Sequence, residues 1–114
     1  MRKFKSGACR DTDKGKIDYF KCLSPLMIKG LGDYLLKHNK LPDGSMRDFD
    51  NWKGLFGENH EEVCMASLSR HMLDMWLEYE GYESREGKRE ALYATLSNVM
   101  FIIHEFELNE LEND

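Results

Sequence analysis

The stretch SRHMLDMWLEYEG, residues 69–81, carries the side chains in this chain that are best suited to chemistry. At 100° per residue around a helix, His71, Asp74 and Glu78 lie on the same side. Carboxylates in such a strip hold hard cations, and a neighbouring imidazole acts as a ligand or a proton carrier. We therefore predict that His71 and Asp74 are catalytic and that Glu78 is a metal ligand. The alternative is an ordinary solvated helix face, in which Arg70 or His71 pairs with Asp74.

Three amphipathic segments supply the helices that must position this strip. Ser24 is a suitable N-cap, Pro25 suits the first helical position, and Gly81 is a plausible stop for the middle helix. Gly30 and Gly32 weaken the first helix, unless they allow a partner helix to approach closely. Since almost nothing alternates as a strand does, we predict an all-α fold. The predicted segments are a leader over 1–22, helices over 24–38, 61–80 and 86–108, a loop over 39–60 and a solvated tail over 109–114.

Composition excludes several classes of function. A chain of 114 residues is long enough for a single domain with a modest core. A net charge of −5 argues against a protein whose main partner is duplex nucleic acid, because phosphate contacts need a basic face. No apolar run is long enough for a membrane span or a signal peptide. The three cysteines show no metal-binding spacing, which fits a reducing cytoplasm.

The apolar surface of the third helix is wider than two neighbouring helices can cover. Its sequence VMFII, residues 99–103, lies within a run of apolar side chains at helical spacing. We expect a homo-oligomer in which a second copy completes a small helical bundle. The alternative is that the loop covers this surface within one chain. The loop side chains that would do so are Phe49, Trp52, Leu55 and Phe56.

Five sequence motifs occur in the order found in a known family. They are SGACRDTDKGKIDYFKCLSPL, NWKGL, SRHML, EGYESREG and EALYATLSN, and the match as a whole covers about residues 6 to 103. In this ordered set the chain resembles the dATP/dGTP diphosphohydrolase N-terminal domain family, a small α-helical group found largely in phages. The family is similar in chemistry to the all-α NTP pyrophosphohydrolases. The resemblance implies hydrolysis of a purine (deoxy)nucleoside triphosphate with release of pyrophosphate.

The resemblance also implies roles for individual residues. Arg10, Lys14 and Lys16 would face triphosphate oxygens, to which such cations donate charge-assisted hydrogen bonds. The residues expected to bind nucleotide are Arg10, Lys14, Lys16, Tyr19, Trp52, Arg70 and Asn98. The residues expected to hold Mg²⁺ are Glu78, Glu80, Glu83 and Glu90, beside Asp74. Two alternatives remain: the leader packs across the bundle without touching a ligand, and Asn98 makes a structural hydrogen bond between helices.

Two departures from the family pattern bear on catalysis. The family has a histidine where this chain has Ala91, and often an aspartate where it has Ala66. If those groups hold metal or activate water, the chain binds a nucleotide or a nucleotide-derived signal without hydrolysing it. Three classes of protein therefore stay open: a Mg²⁺-dependent hydrolase, a non-catalytic nucleotide binder, and a structural protein that only oligomerises.

Overall fold

The fold is an all-α bundle, as predicted. The computed structural model describes residues 2–3, 9–10, 12, 14–54 and 57–113. Four α-helices follow a two-residue antiparallel pairing of β1 with β2. The elements are β1 Arg2–Lys3, β2 Cys9–Arg10, α1 Tyr19–Cys22, α2 Pro25–His38, a 3₁₀ turn Asn51–Gly54, α3 His60–Tyr79 and α4 Lys88–Glu112.

The first long helix, α2, begins where its sequence indicates. The Ser24 side chain accepts a hydrogen bond from the Met27 amide at 3.1 Å, and Pro25 occupies the first helical position. Capping of this kind satisfies an amide that has no partner within the helix. One turn further along, Gly30 is buried against the ring of Tyr93 on α4. Gly30 therefore allows α4 to approach α2 closely, as the sequence suggested, whereas Gly32 faces open space.

Helix α3 ends at the predicted stop. Gly81 adopts φ of +90°, a left-handed conformation that glycine takes at little cost. Its amide donates to the carbonyl of Glu78 at 3.1 Å, and the Tyr82 amide donates to the carbonyl of Leu77 at 2.9 Å. These two bonds form a Schellman motif, which closes the helix and turns the chain back. As a result α3 and α4 pack as an antiparallel hairpin, the most extensive helix contact among the described residues.

The core between these helices is small. The buried apolar residues are Tyr34 on α2, Cys64 on α3, and Ala91 and Ala94 on α4. The two alanines let the helices approach closely, and both are completely inaccessible to solvent. Three polar side chains are buried with them: Asp74, Ser97 and Asn98.

The structure differs in detail from two predicted segments. The solvated tail predicted over 109–114 is helical as far as Glu112, because its leucine and glutamate residues are good helix formers and no glycine or proline interrupts them. The leader predicted over 1–22 contains the short helix α1, which is capped by the Asp18 carboxylate. Across the described ranges, no helix combines the length and apolar character needed to cross a lipid bilayer.

The loop covers part of the third predicted helix. The Trp52 ring lies 5.0 Å from the ring of Phe101 and 5.2 Å from that of His104, both on α4. Phe49 is exposed, and Leu55 and Phe56 lie outside the described residues. The loop therefore anchors to one part of α4 and leaves other apolar residues of that helix open, among them Ile103 and Phe106.

Candidate metal and phosphate site

Three potential metal ligands converge where α3 meets the start of α4. They are His71 and Asp74 on α3 and Glu86 in the loop between the helices. One ligand atom from each side chain lies within 4.8 Å of the others. The Nδ1 atom of His71 is 2.7 Å from the Oε1 atom of Glu86, a short charge-assisted contact. This cluster unites the two residues predicted to be catalytic with a third that was not selected.

Asp74 is the most buried member of the cluster, and its charge is well compensated. Arg85 donates from Nε to its Oδ2 atom at 2.7 Å. Burial by itself would raise the pKa of this carboxyl group. The hydrogen bond from Arg85, together with the positive charges of Arg85 and His71, outweighs burial and holds the pKa of Asp74 below its ordinary value. Asp74 is therefore a buried carboxylate that stays ionised at neutral pH.

The loop that carries Arg85 and Glu86 is held by its own hydrogen bonds. The Oε1 atom of Glu78 accepts from the amide of Ser84 at 3.0 Å and from its hydroxyl at 2.9 Å. The Ser84 hydroxyl oxygen in turn accepts from the amide of Gly87 at 2.9 Å, just before α4 begins. Glu78, predicted as a metal ligand, thus fixes the loop that brings Glu86 to the cluster.

Helix α2 contributes a second group of charged and aromatic side chains. Lys37 and His38 both contact the carboxylate of Glu90, at 3.5 Å each. Burial raises the pKa of the Tyr34 hydroxyl, and the negative charges of Glu86 and Glu90 raise it further, while a hydrogen bond with Ser97 opposes this. The pKa of Tyr34 therefore responds both to Glu86 of the cluster and to Glu90. Glu90, predicted as a metal ligand, belongs to this neighbouring group of charges.

Two other predicted metal ligands, and the arginine of the middle helix that was predicted to bind nucleotide, lie on the surface. Glu80, Glu83 and Arg70 are exposed. Glu80 caps the end of α3, and Glu83 lies in the loop that follows. None of these three belongs to the His71, Asp74 and Glu86 cluster.

The predicted nucleotide-binding residues are spread along the molecule. Lys14, Lys16 and Tyr19 are exposed, and the described hydrogen bonds of residues 14–22 join groups no more than four positions apart. The side chain of Arg10 lies outside the described part of the chain. Trp52 packs against Phe101, about 16 Å along the axis of α4 from Glu90 at the usual helical rise.

Asn98 makes a structural hydrogen bond, but within its own helix and not between helices as was weighed. It is buried, and its side-chain amide donates to the carbonyl of Ala94 in the same helix at 2.9 Å. Because this donor is satisfied within α4, the burial of Asn98 does not require a ligand.

Sequence reasoning missed Glu86 and Arg85. Both lie in a loop, where helical periodicity places no side chain, and Glu86 was read only as a possible helix start. The available signal was the acidic loop EGYESREG directly after the strip. A short hairpin connection returns such a loop to the end of the helix that precedes it.

Comparison with known proteins leaves the geometry as the main guide to function. The chain matches no protein-family model, no curated protein and no solved structure. The fold and the site together define a class: a small α-helical protein with a histidine–carboxylate cluster at one end of a helical hairpin.

Proposed function

We propose that this protein is a divalent-metal-dependent hydrolase of purine (deoxy)nucleoside triphosphates that releases pyrophosphate. The observation that carries the proposal is the convergence of His71, Asp74 and Glu86 within 4.8 Å. The ordered motifs that resemble the diphosphohydrolase family supply the class of substrate. The reducing cytoplasm, where nucleotide pools and free thiols such as Cys22 coexist, is the proposed location.

The donor set fits a hard or borderline divalent cation. Two carboxylates and one imidazole suit Mg²⁺ or Mn²⁺, and the mixed set favours Mn²⁺ more than an all-oxygen site would. When bound, such an ion neutralises phosphate charge and lowers the pKa of coordinated water. The Glu86 carboxylate fixes the orientation of the His71 ring by holding its Nδ1 atom.

Cations near the cluster are suited to phosphate. Arg85 already lies against Asp74, and its guanidinium group offers further donors. Lys37 and Arg89 both lie within 4.0 Å of the Glu90 carboxylate. In this proposal Arg85 orients a phosphate while the cluster residues hold the metal. The leader cations Lys14 and Lys16 close over the triphosphate, and Tyr19 stacks on the base.

The experiment is hydrolysis of a panel of deoxynucleoside and nucleoside triphosphates with Mg²⁺ or Mn²⁺. We expect monophosphate and pyrophosphate from purine substrates, and loss of turnover in Asp74→Asn and Glu86→Gln. Glu62→Gln is the matched control, since Glu62 is an exposed carboxylate on the first turn of α3, far along the helix from the cluster. Equal turnover in Glu86→Gln and wild type would refute the site. Orthophosphate as the product would refute the reaction.

A second function has a specific observation in its favour. Ala91, which stands where the resembled family has a histidine, is completely buried in the helix interface. No catalytic group can act from that position in this chain. Tight nucleotide binding by calorimetry, combined with no product after prolonged incubation, would identify a nucleotide-sequestering protein that uses the same residues.

A further inference from the structure

A second cluster of reactive side chains lies at the opposite end of the α3–α4 hairpin. His60 is the first residue of α3, and Cys64 follows one turn later. The Nε2 atom of His60 lies 3.5 Å from the Cys64 sulfur, and its Nδ1 atom lies 2.6 Å from the Oε2 atom of Glu105 on α4. The imidazole therefore bridges a carboxylate and a thiol.

The contact with Glu105 fixes which nitrogen of the neutral His60 ring carries the proton. Because Nδ1 faces a carboxylate, which only accepts hydrogen bonds, the neutral ring carries its proton on Nδ1. Its Nε2 lone pair then points at the sulfur. A metal-bound histidine is held in the same way, with the ring nitrogen that is not bound to metal donating to a carboxylate.

We propose that His60 and Cys64 form a binding site for a borderline or soft divalent cation of the Zn²⁺ type. Tetrahedral zinc, with bonds of about 2.3 Å to sulfur and about 2.0 Å to nitrogen, holds these two ligand atoms about 3.5 Å apart. The observed separation of 3.5 Å matches this spacing. Water completes the coordination, so the site is a two-ligand site of moderate affinity.

The surface beside the cluster is acidic. Glu105 also lines a concavity of about 510 Å³ together with Glu61, Glu107 and the apolar side chains of Ile102 and Phe106. Three carboxylates around one opening raise the local concentration of cations. Glu105, the carboxylate that orients His60, is thus also part of an acidic surface concavity.

Metal binding releases a proton. Burial raises the pKa of the Cys64 thiol, and the negative charge of Glu105 raises it further, so the resting sulfur is protonated. Coordination exchanges the S–H bond for a metal–thiolate bond, and the proton leaves to buffer. No oxidation occurs, and His60 keeps the proton on Nδ1.

The test is a titration of the reduced, metal-free full chain with Cd²⁺, whose thiolate complexes absorb in the ultraviolet, followed by competition with Zn²⁺. We expect thiolate–metal absorption in wild type and its loss in Cys64→Ser. His60→Ala and Glu105→Gln should weaken binding, the latter by about 10- to 100-fold, as is usual for the carboxylate behind a metal-bound histidine. Zn²⁺ should release about one proton per ion bound in weakly buffered solution.

Two variants serve as matched controls. Cys22→Ser removes an exposed thiol, and His71→Ala disables the other cluster. Both should retain the absorption and the affinity of wild type. The proposal is overturned if millimolar Cd²⁺ produces no thiolate absorption, or if Cys22→Ser rather than Cys64→Ser abolishes it. Should Cys64→Ser fail to fold, unchanged affinity in Glu105→Gln, with its thiol intact, would overturn it equally.

Discussion

Asp74 is a buried carboxylate with a compensated charge, and its stability contribution depends on pH. Its pKa is lowered on folding, so folding is favoured while the group is ionised. That contribution is complete above the unfolded pKa of about 3.9 and is lost as pH falls from there toward the lower folded value.

The first prediction compares acid sensitivity in two proteins. Between pH 7 and 3, the urea midpoint of wild type should fall more steeply than that of Asp74→Asn, because only wild type loses the charge that Arg85 compensates. At neutral pH the variant should be less stable. Asp33→Asn is the control, since Asp33 makes only an exposed pair with Lys29 on α2. Parallel acid profiles for wild type and Asp74→Asn would contradict the assignment.

Arg85 occupies the place at Asp74 that a metal ion would compete for. A second prediction follows for Arg85→Gln. Mn²⁺ affinity should rise severalfold, because a competing cation is removed from the Asp74 carboxylate. Nucleotide affinity in the presence of Mn²⁺ should fall, because a phosphate ligand is removed.

Calorimetry with Mn²⁺ alone, and then with nucleotide, measures both changes. Arg89→Gln is the comparison, since the Arg89 guanidinium contacts Glu90 and lies over the Tyr93 ring. If Arg85→Gln weakens Mn²⁺ binding, Arg85 supports the cluster structurally and does not compete with the ion.

At the scale of elements, the packing of α2 on α4 depends on a glycine. A side-chain carbon at position 30 would overlap the ring and hydroxyl of Tyr93, whereas one at position 32 would meet nothing within 4 Å. Both positions are inside α2, so the helix propensity of the two sites is comparable. Comparing an alanine substitution at each position therefore measures the effect of the close contact between α2 and α4.

A third prediction uses this pair. Gly30→Ala should destabilise the protein by about 1–3 kcal/mol, the usual cost of overpacking. Gly32→Ala should stabilise it by up to about 1 kcal/mol, because alanine is the better helix former. Chemical unfolding monitored by circular dichroism measures both changes. A neutral or favourable effect of Gly30→Ala would mean that α2 does not pack on Tyr93 in solution.

At the scale of the whole molecule, many apolar side chains of the described residues are exposed. On α3 the exposed side chains of Met65, Met72, Trp76 and Tyr79 recur at helical spacing, with Trp76 59% and Tyr79 83% exposed. The radius of gyration is 19.3 Å, against about 13 Å for a compact domain of this length. Surface of this kind usually marks an interface.

The fourth prediction is that a second copy covers this face, pairing two α3–α4 hairpins as a four-helix bundle. Trp76→Glu should shift the mass in light scattering from oligomer toward monomer and lower the melting temperature. Leu26→Glu, an equally drastic change at an 81% exposed residue of α2, should leave the mass unchanged. A monomeric wild type at micromolar concentration would contradict the prediction.

The sequence by itself determined the three long helices to within a few residues, because their signals are local. The Ser24 cap, Pro25 and the Gly81 stop depend on neighbours within a few residues, and each is found where it was predicted. The helical period also placed His71 and Asp74 on one side of α3. These features follow from backbone geometry, which the identity of nearby side chains largely decides.

Only the tertiary structure decided which residues complete the sites. Glu86 reaches His71 through an irregular loop held by Glu78, and Glu105 reaches His60 across 45 positions of sequence. Periodicity describes directions around one helix, but it says nothing about which side chains two helices bring together. That pairing depends on the Gly81 turn and on the close packing of Ala91 and Ala94, and so on the fold as a whole.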